Sequence, residues 1–172
     1  MSRKLHLGGR QAAPEWEIFD ALPGPTVDHL GNAKDLSCFG DGTFEELYAS
    51  HILEHFDYVN ELEQALKEWH RVLVPGGVLY VSVPDLETLC RLYLDERRSP
   101  ADRWMSMRMI FGGHTTPYDY HQVGLSEIFL GSFLNRVGFQ GIRRVKEFGM
   151  FQDSSSLQVD GIFISLNMIA LK

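Results

Sequence analysis

Residues 44–85 constrain the fold of this chain more than any other stretch of the sequence. They contain a strand-like segment at residues 47–50, a long amphipathic run, and a nearly continuous apolar segment, rich in β-branched residues, at 78–83. Pro75-Gly76-Gly77 separates the last two, because proline cannot continue a helix and glycine accommodates a helix C-terminus. A strand, a helix, a tight turn and a second buried strand form the unit that builds parallel sheets. The stretch therefore predicts an α/β protein.

The amphipathic run carries apolar residues at intervals of three and four, which predicts a helix with one buried face. The residues of that face are Val59, Leu62, Leu66, Trp69 and Leu73. Charged residues fall mostly outside this stripe, as expected for the solvent side of a helix. Asp57 precedes the run and is a suitable N-cap, because its side chain can accept a hydrogen bond from a free backbone amide.

Shorter elements flank this unit on both sides. The sequence predicts strands at residues 4–7, 18–20 and 27–30, and helices that begin after the candidate N-caps Asp85, Ser99 and Ser126. Residues 139–148 and 159–171 then form two strands with no helix between them, which predicts an antiparallel pair. Leu86, Leu89 and Tyr93 are expected on one face of the first of these helices, and Ile128, Phe129, Phe133 and Leu134 are expected to face inward from the third. Trp104, Met105, Met107 and Met109 of the second are expected to pack in the core or in a dimer.

The length and composition of the chain exclude several classes of protein. A chain of 172 residues with 44% hydrophobic residues is expected to form one domain, residues 1–172, with a real core. Its net charge of −7 and lack of a basic run argue against a nucleic-acid partner. No membrane partner is expected, because no apolar run approaches a membrane span. Neither a signal sequence nor a disulfide framework is expected, which predicts a cytoplasmic protein with Cys38 and Cys90 reduced.

The middle of the chain resembles a known family. Y-A-S-H-I-L-E-H-F at residues 48–56 and E-W-H-R-V-L-V-P-G-G-V-L-Y-V-S-V-P-D at residues 68–85 are similar to the methyltransferase type 11 group of class I S-adenosylmethionine (SAM)-dependent methyltransferases. L-H-L-G-G at residues 5–9 resembles the start of that group's glycine motif, and residues 161–170 resemble the closing strand of a small predicted-methyltransferase subfamily. The resemblance implies a Rossmann-like sheet, mostly parallel, with a C-terminal antiparallel strand pair.

The resemblance also implies a cofactor and its site. SAM would bind outside the carboxyl ends of the strands, with S-adenosylhomocysteine as product, and an acidic residue after the second strand would accept the ribose hydroxyls. Residues 32–36 with Phe44 are similar to the segment that lines the adenine. The residues that would surround the cofactor are Gly8, Gly9, Asp20, Asn32, Asp35, Leu36, Ser50 and His51.

Two features of the N-terminal region depart from the family pattern. The glycine motif reads Gly8-Gly9-Arg10, and only about ten residues separate the first two strands, whereas a parallel crossover usually takes a dozen or more. The first crossover helix is therefore expected to be reduced or missing. Asn32 stands where the family often has an acidic residue.

Methyl transfer requires an acceptor aligned with the methyl group and, for some acceptors, a base. The candidate catalytic residues are His55, His121 and Tyr118, which lie in loops expected at the carboxyl ends of the strands. These side chains could equally serve to hold the loops in place. A small molecule or a glycan is the expected acceptor, and this interpretation requires no metal.

Other interpretations remain open at this point. A chain with a reduced glycine region could be a catalytically inactive binding or assembly module. The string His51-Ile52-Leu53-Glu54-His55 also matches the H-x-x-E-H pattern of a class of zinc peptidases, with Glu127 as a candidate third ligand, and would then predict a zinc hydrolase. A shortened sheet flank would expose apolar surface, which predicts self-association into a homo-oligomer.

Overall fold

The structure is a computed structural model and describes residues 3–172. The strands along this part of the chain are β1 (Lys4–Leu7), β2 (Trp16–Asp20), β3 (His29–Leu30), β4 (Phe44–Ser50), β5 (Leu73–Pro84), β6 (Gln140–Val145), β7 (Gln158–Val159), β8 (Ile162–Phe163) and β9 (Ser165–Leu171). The α-helices are α1 (Glu61–Val72), α2 (Leu86–Leu94), α3 (Pro100–Phe111) and α4 (Glu127–Arg136), and Leu53–His55 and Ser154–Ser156 form short 3₁₀ turns.

Seven strands form one sheet in the order β3-β2-β1-β4-β5-β9-β6. The first five strands in this order run parallel to one another, and β9 is antiparallel to both of its neighbours, β5 and β6. A parallel Rossmann-like sheet with a C-terminal antiparallel pair was the fold predicted from the sequence, and the structure confirms it.

The central unit, residues 44–85, forms the middle of the sheet and carries α1 on one face. Leu62, Leu66 and Trp69 of α1 are fully buried in the main core, which also contains Leu47 of β4 and Val81 of β5. These five residues occupy the positions that the helical and strand periodicities predict. The apolar contacts of α1 therefore join the two strands on one side of the sheet.

The ends of α1 differ from the prediction. The helix begins at Glu61 with Asn60 at the N-cap, whereas Asp57 accepts hydrogen bonds from the amides of Val59 and Asn60 in the turn before it. Val59 is consequently 71% exposed rather than part of the buried face. At the other end, α1 leads directly into β5, which includes Pro75-Gly76-Gly77, with Gly76 at a φ of 78°.

The connection between β1 and β2, residues 8–15, contains no helix, as predicted. The amide of Gly8 donates to the carbonyl of Phe19 at 2.8 Å, and that of Trp16 donates to Ala13 at 3.2 Å, so the chain turns at once into β2. Residues 31–43, between β3 and β4, also lack a helix, and this segment packs on α1 through the indole of Trp69, which donates to Ala33 O at 2.7 Å.

The sheet face opposite α1 is covered by a C-terminal flap, defined here as residues 146–157. Phe151 of the flap contacts the rings of His6, Trp16 and Tyr48, with centroid separations of 4.2, 5.3 and 4.8 Å. The Tyr48 hydroxyl donates to a carboxylate oxygen of Asp153 at 2.7 Å. In a doubly wound sheet helices cover both faces; here a loop covers this part of the second face.

The C-terminal helices bury only some of the residues predicted to face inward. Asp85, Ser99 and Ser126 are N-caps as expected. In α4, Leu134 is buried as predicted and Leu130 is buried beside it, whereas Ile128 and Phe129 are exposed, at 74% and 54%. This helix has apolar residues around most of its circumference, so its sequence does not single out the buried face.

Two further expectations for the C-terminal half are corrected in part. Trp104, Met105 and Tyr93 are exposed and do not pack in the core, while packing of Trp104 and Met105 in a dimer stays a prediction. The strand predicted at residues 159–171 is divided by a hairpin, β7 to β8, whose turn residues Asp160 and Gly161 both have positive φ. Within residues 3–172, no helix has the length and apolar character needed to cross a membrane.

Candidate active site at the carboxyl edge of the parallel strands

The strand register brings four of the sequence-predicted site residues to neighbouring positions. Leu7 of β1 pairs with Phe19 of β2 and Ala49 of β4. The residues that follow these three are Gly8, Asp20 and Ser50. Parallel strands end at the same edge of a sheet, so these residues, with His51 after Ser50, lie along one carboxyl edge. Ser50 also pairs directly with Ser82 of β5, which the sequence analysis did not select.

Gly8 and Gly9 allow the chain to turn sharply at the end of β1. Gly8 has a φ of 70°, in the left-handed region that favours glycine. A Cβ on Gly8 would clash with the Ile52 side chain, and one on Gly9 would lie 2.7 Å from the ring of His6. Both glycines are therefore required by the close packing of the turn itself, and they keep the backbone at this edge free of side chains.

Asp20 ends β2 and is largely buried. One of its carboxylate oxygens accepts a hydrogen bond from the amide of Leu22 at 2.7 Å, and among residues 3–172 the other makes no hydrogen bond. Asn32 follows β3 on the outer side of Asp20, where its side-chain oxygen accepts from the amide of Lys34. Asp20 thus has a fixed orientation and one free acceptor oxygen at the edge.

Leu36 and Asp35 lie away from this edge. Leu36 is fully buried in the core, and its backbone contacts the side chains of Glu68 and Arg71 of α1. Asp35 instead lines an open cleft of ≈ 650 Å³ beside α1, together with Asn60. Of the cofactor residues predicted from the sequence, these two belong to the α1 side of the molecule.

Two buried hydroxyls at the edge have no hydrogen-bond partner in the part of the chain that the structure describes. They are Ser50 Oγ at the end of β4 and Ser82 Oγ on β5. Buried hydroxyls normally have a partner, either within the protein or in a bound molecule. Their shared position, at paired residues of adjacent strands, marks a polar site next to Gly8 and Asp20.

His51 follows Ser50 in a strained backbone conformation, with a φ of 56°. Its Nε2 lies 2.9 Å from the hydroxyl of Ser165, which itself donates to the carbonyl of Ser154 at 2.7 Å. Because that hydroxyl already donates its proton, His51 Nε2 must be the donor and Nδ1 carries the lone pair. Burial lowers the pKa of His51 to about 4, so the ring is neutral at neutral pH.

Glu54 lies directly beside this ring and is almost completely buried, with 1% of its surface exposed. Its Oε1 is 3.4 Å from His51 Nδ1, and neither carboxylate oxygen makes a hydrogen bond within residues 3–172. Burial raises the pKa of Glu54 to about 8, which favours the protonated acid. The burial of this residue was not predicted, although Glu54 is part of the H-x-x-E-H string.

His55 and His121, two of the predicted catalytic residues, lie together. Their ring centroids are 5.0 Å apart, and potential metal-binding atoms of Glu54, His55 and His121 all lie within 4.8 Å of one another. Burial and the neighbouring His55 ring lower the pKa of His121. We call these three residues the Glu54 cluster.

The third predicted catalytic residue, Tyr118, is exposed at the tip of the loop formed by residues 112–124. Asp119 organises this loop, because its carboxylate accepts hydrogen bonds from Gly113 and from the amide and hydroxyl of Thr115. The Thr115 side chain and backbone hold the pKa of Asp119 at about 2. The loop turns His121 inward and leaves Tyr118 on the outer rim.

The geometry expected for a zinc peptidase is not present. His51 directly follows β4, and Glu54 and His55 lie in a 3₁₀ turn, so the two histidines do not share one face of an α-helix. Glu127 pairs with Arg144 at 3.5 Å, beside a second cleft of ≈ 570 Å³. The same Arg144 pairs with Asp85 at 2.7 Å, and Asp85 caps α2.

Comparison with known proteins gives a consistent result. Residues 15–81 match a family model described as a methyltransferase domain. A demethylmenaquinone methyltransferase from Chlorobaculum tepidum is 27% identical over 159 residues, which are 88% of this chain and 62% of that protein. The chain thus spans less than two thirds of the length of this curated relative.

Solved structures resemble the whole chain. A SAM-dependent methyltransferase from Archaeoglobus fulgidus superposes with a TM-score of 0.62 at 16% identity, covering 99% of this chain and 86% of that one. One from Methanosarcina mazei superposes with a TM-score of 0.59 at 19% identity, covering 99% and 92%. These similarities concern the fold.

Proposed function

We propose that this chain is a class I SAM-dependent methyltransferase that binds SAM and transfers its methyl group to a small molecule or a glycan; the match of residues 15–81 to a methyltransferase domain and the similar fold support the proposal. The observation that carries the proposal is the convergence of Gly8, Asp20, Ser50 and His51 at neighbouring positions of one carboxyl edge. In open α/β sheets this edge is where ligands bind.

The side chains at this edge fit a nucleoside with vicinal hydroxyls. Asp20 has one carboxylate oxygen free to accept hydrogen bonds, and Ser50 and Ser82 have hydroxyls without a partner in residues 3–172. Gly8 and Gly9 leave the backbone at the end of β1 unobstructed by side chains. SAM, when bound, supplies a methyl group on a positively charged sulfur.

The residues beyond His51 provide the chemistry that an acceptor requires. His121 has a lowered pKa and is neutral at physiological pH, so a free ring nitrogen of His121 or of its neighbour His55 can take a proton from an acceptor hydroxyl. Tyr118, on the rim of the same loop, is placed to contact an acceptor rather than to act as a base. We therefore assign His55 and His121 to proton removal and Tyr118 to acceptor binding.

The net charge and one relative support the proposed class of acceptor. A net charge of −7 disfavours a polyanion such as nucleic acid. A relative from Chlorobaculum tepidum is named for demethylmenaquinone, a small molecule. A small molecule or glycan, a cytoplasmic location and a homo-oligomeric state form part of the proposal.

One observation favours a second function, a non-catalytic binding or assembly module. Residues 8–15 contain no helix, so this edge lacks the N-terminal amides that a helix would offer to the cofactor's carboxylate. A module of this kind would keep its partner when Asp20 is replaced by alanine, whereas an enzyme would lose cofactor affinity.

The experiment that separates the two functions is a thermal shift of the purified chain with SAM and with S-adenosylhomocysteine at millimolar concentration. The methyltransferase proposal predicts a rise in Tm with both ligands, because a ligand that binds only the folded state stabilises it. An unchanged Tm with both ligands, together with no heat in calorimetry, would contradict the proposal and support the module.

A further inference from the structure

The Glu54 cluster brings together three side chains that are able to bind a metal ion. Potential ligand atoms of Glu54, His55 and His121 lie within 4.8 Å of one another. Glu54 and His55 come from the 3₁₀ turn after β4, and His121 comes from the loop that follows α3. The cluster lies just beyond the edge proposed to bind SAM. His51 belongs to that edge, and Ile52 leads from it into the 3₁₀ turn that carries Glu54 and His55.

The carboxylate of Glu54 has no partner that accounts for its burial. It is 1% exposed, and both of its oxygens lack a hydrogen bond within residues 3–172. The nearby His51 ring does not donate to Glu54, because its proton is on Nε2, which faces Ser165, while Nδ1 lies 3.4 Å from Glu54 Oε1. Buried carboxylates are normally protonated, ion-paired or bound to a metal. A cation at this position would take the place of the proton that a buried carboxyl group otherwise carries and would pair with the carboxylate.

The two histidines are oriented as metal ligands usually are. His55 Nδ1 lies 3.1 Å from the carbonyl of Tyr120, and His121 Nδ1 lies 3.3 Å from the carbonyl of Ile110. A carbonyl oxygen can only accept, so in both rings Nδ1 carries the proton and Nε2 has the free lone pair. Metal-binding histidines commonly donate their other ring nitrogen to a backbone carbonyl in this way.

The backbone holds the two halves of the cluster together before any ion binds. The amide of Gln122 donates to the carbonyl of Glu54 at 2.7 Å, and the Gln122 side chain donates to the carbonyl of His55 at 2.9 Å. The loop carrying His121 is thus attached to the turn carrying its two partners. Such prior organisation reduces the entropy lost when a ligand is bound.

We propose that Glu54, His55 and His121 bind a divalent transition-metal ion of the zinc class. Two imidazoles and one carboxylate are a ligand set typical of Zn²⁺ sites, in which a fourth position remains open, whereas Mg²⁺ and Ca²⁺ prefer oxygen ligands. Zinc bonds of about 2.0–2.2 Å place ligand atoms roughly 3.3 Å apart, so binding draws the three side chains inward.

This site differs from the one expected from the H-x-x-E-H string. Glu54 is a ligand here rather than a general base, His121 takes the place of His51, and Glu127 does not take part. The ion would also occupy the lone pairs assigned above to proton removal, so metal-free and metal-loaded protein should differ in transfer rate. Metal binding itself does not depend on methyl transfer.

The test is a Zn²⁺ titration of the full chain after removal of metals with a chelator, followed by calorimetry and by the visible spectrum of bound Co²⁺. Wild type should bind one ion with a tetrahedral Co²⁺ spectrum. Glu54→Gln and His121→Asn should each weaken binding by at least about tenfold. His114→Asn is the matched control: it lies in the same loop, outside the cluster, and asparagine tolerates its positive φ of 56°.

Each outcome of this titration is informative without SAM. A wild type that binds no ion, or a His121→Asn variant that binds as wild type does, would overturn the proposal. Circular dichroism of the metal-free variants controls for folding. If Glu54→Gln alone failed to fold, the comparison of His121→Asn with His114→Asn would still decide the question. If wild type did not bind SAM, the result of the metal titration would be unaffected and only the proposed function would be contradicted.

Discussion

The central unit, residues 44–85, and the N-terminal region, residues 4–43, contribute strands to the same parallel sheet by different means. The central unit connects β4 to β5 through α1, whose buried face fills the core. The N-terminal region connects three parallel strands through turns, and the C-terminal flap packs on the opposite face. The register of the paired strands, and not a crossover helix, therefore determines where the residues of the carboxyl edge lie.

The largest expected effect comes from breaking the central unit at Trp69. This side chain is fully buried and its indole donates to Ala33 O at 2.7 Å. We expect Trp69→Ala to lower the free energy of unfolding by about 4–5 kcal/mol. Chemical denaturation measures the change, and Val59→Ala, on the exposed side before α1, should change stability by less than about 0.5 kcal/mol. Equal losses in the two variants would contradict the assignment of the buried face.

The second prediction tests whether the flap covers the sheet face that a helix covers in other doubly wound sheets. Phe151 packs on His6, Trp16 and Tyr48, so Phe151→Ala should cost about 3 kcal/mol in denaturation. Phe129 is exposed, so Phe129→Ala is the control for loss of a phenyl ring and should leave the free energy of unfolding nearly unchanged. A neutral Phe151→Ala would mean that the flap does not cover this face in solution.

The third prediction tests the sheet face beneath the flap through the dependence of stability on pH. Burial lowers the pKa of His6 to about 4, although the charge of Asp153 opposes the shift. The unfolded chain then binds more protons than the fold between about pH 4 and 6.5, so stability falls as the pH is lowered through this range, by up to about 3 kcal/mol for His6.

His6→Phe removes this contribution while keeping an aromatic ring in place. The fall in stability on lowering the pH should be smaller in the variant than in wild type by the contribution of His6, because His51, with a similarly low pKa, and Glu54, whose raised pKa of about 8 acts in the opposite direction, contribute equally in both proteins. Denaturation between pH 4 and 7 gives the slope. An unchanged slope would show that His6 is not buried beneath the flap.

The smallest stability effect is expected at the hydrogen bond between the flap and the sheet. Tyr48→Phe removes the bonds of its hydroxyl to Asp153 and Ser155, and should cost about 1.5 kcal/mol. Combined with Phe151→Ala, the loss should be less than the sum of the two single losses, since both changes act on one contact between flap and sheet. Strict additivity in this double-mutant cycle would indicate two independent contacts.

The sequence predicted those parts of the molecule whose signals are local. The apolar spacing of Leu62, Leu66 and Trp69 predicted α1 and its buried face, and the short spacing between the strands predicted at residues 4–7 and 18–20 predicted a reduced or missing crossover helix. Ile128 and Phe129 were assigned to the wrong face because α4 has apolar residues on several sides, and only the tertiary contacts select among them.

The candidate site was predictable only in part, for the same reason. Gly8, Asp20, Ser50 and His51 follow predicted strands, and parallel pairing brings such positions together. The contact of His55 with the loop carrying His121 joins residues 65 apart, and that of Tyr48 with Asp153 joins residues 105 apart. No local pattern indicates either contact, so the burial of Glu54 and the role of the flap required the structure.

The central claim is that the carboxyl edge binds SAM although the N-terminal region has no crossover helix, and calorimetry of SAM binding to wild type and Asp20→Asn tests it most directly. The free carboxylate oxygen of Asp20 should accept a hydrogen bond from the cofactor, so the variant should bind roughly 10- to 100-fold more weakly. Glu96→Gln, an exposed carboxylate far along the chain, should bind as wild type does. Equal affinities in all three proteins, or no binding by wild type, would contradict the claim.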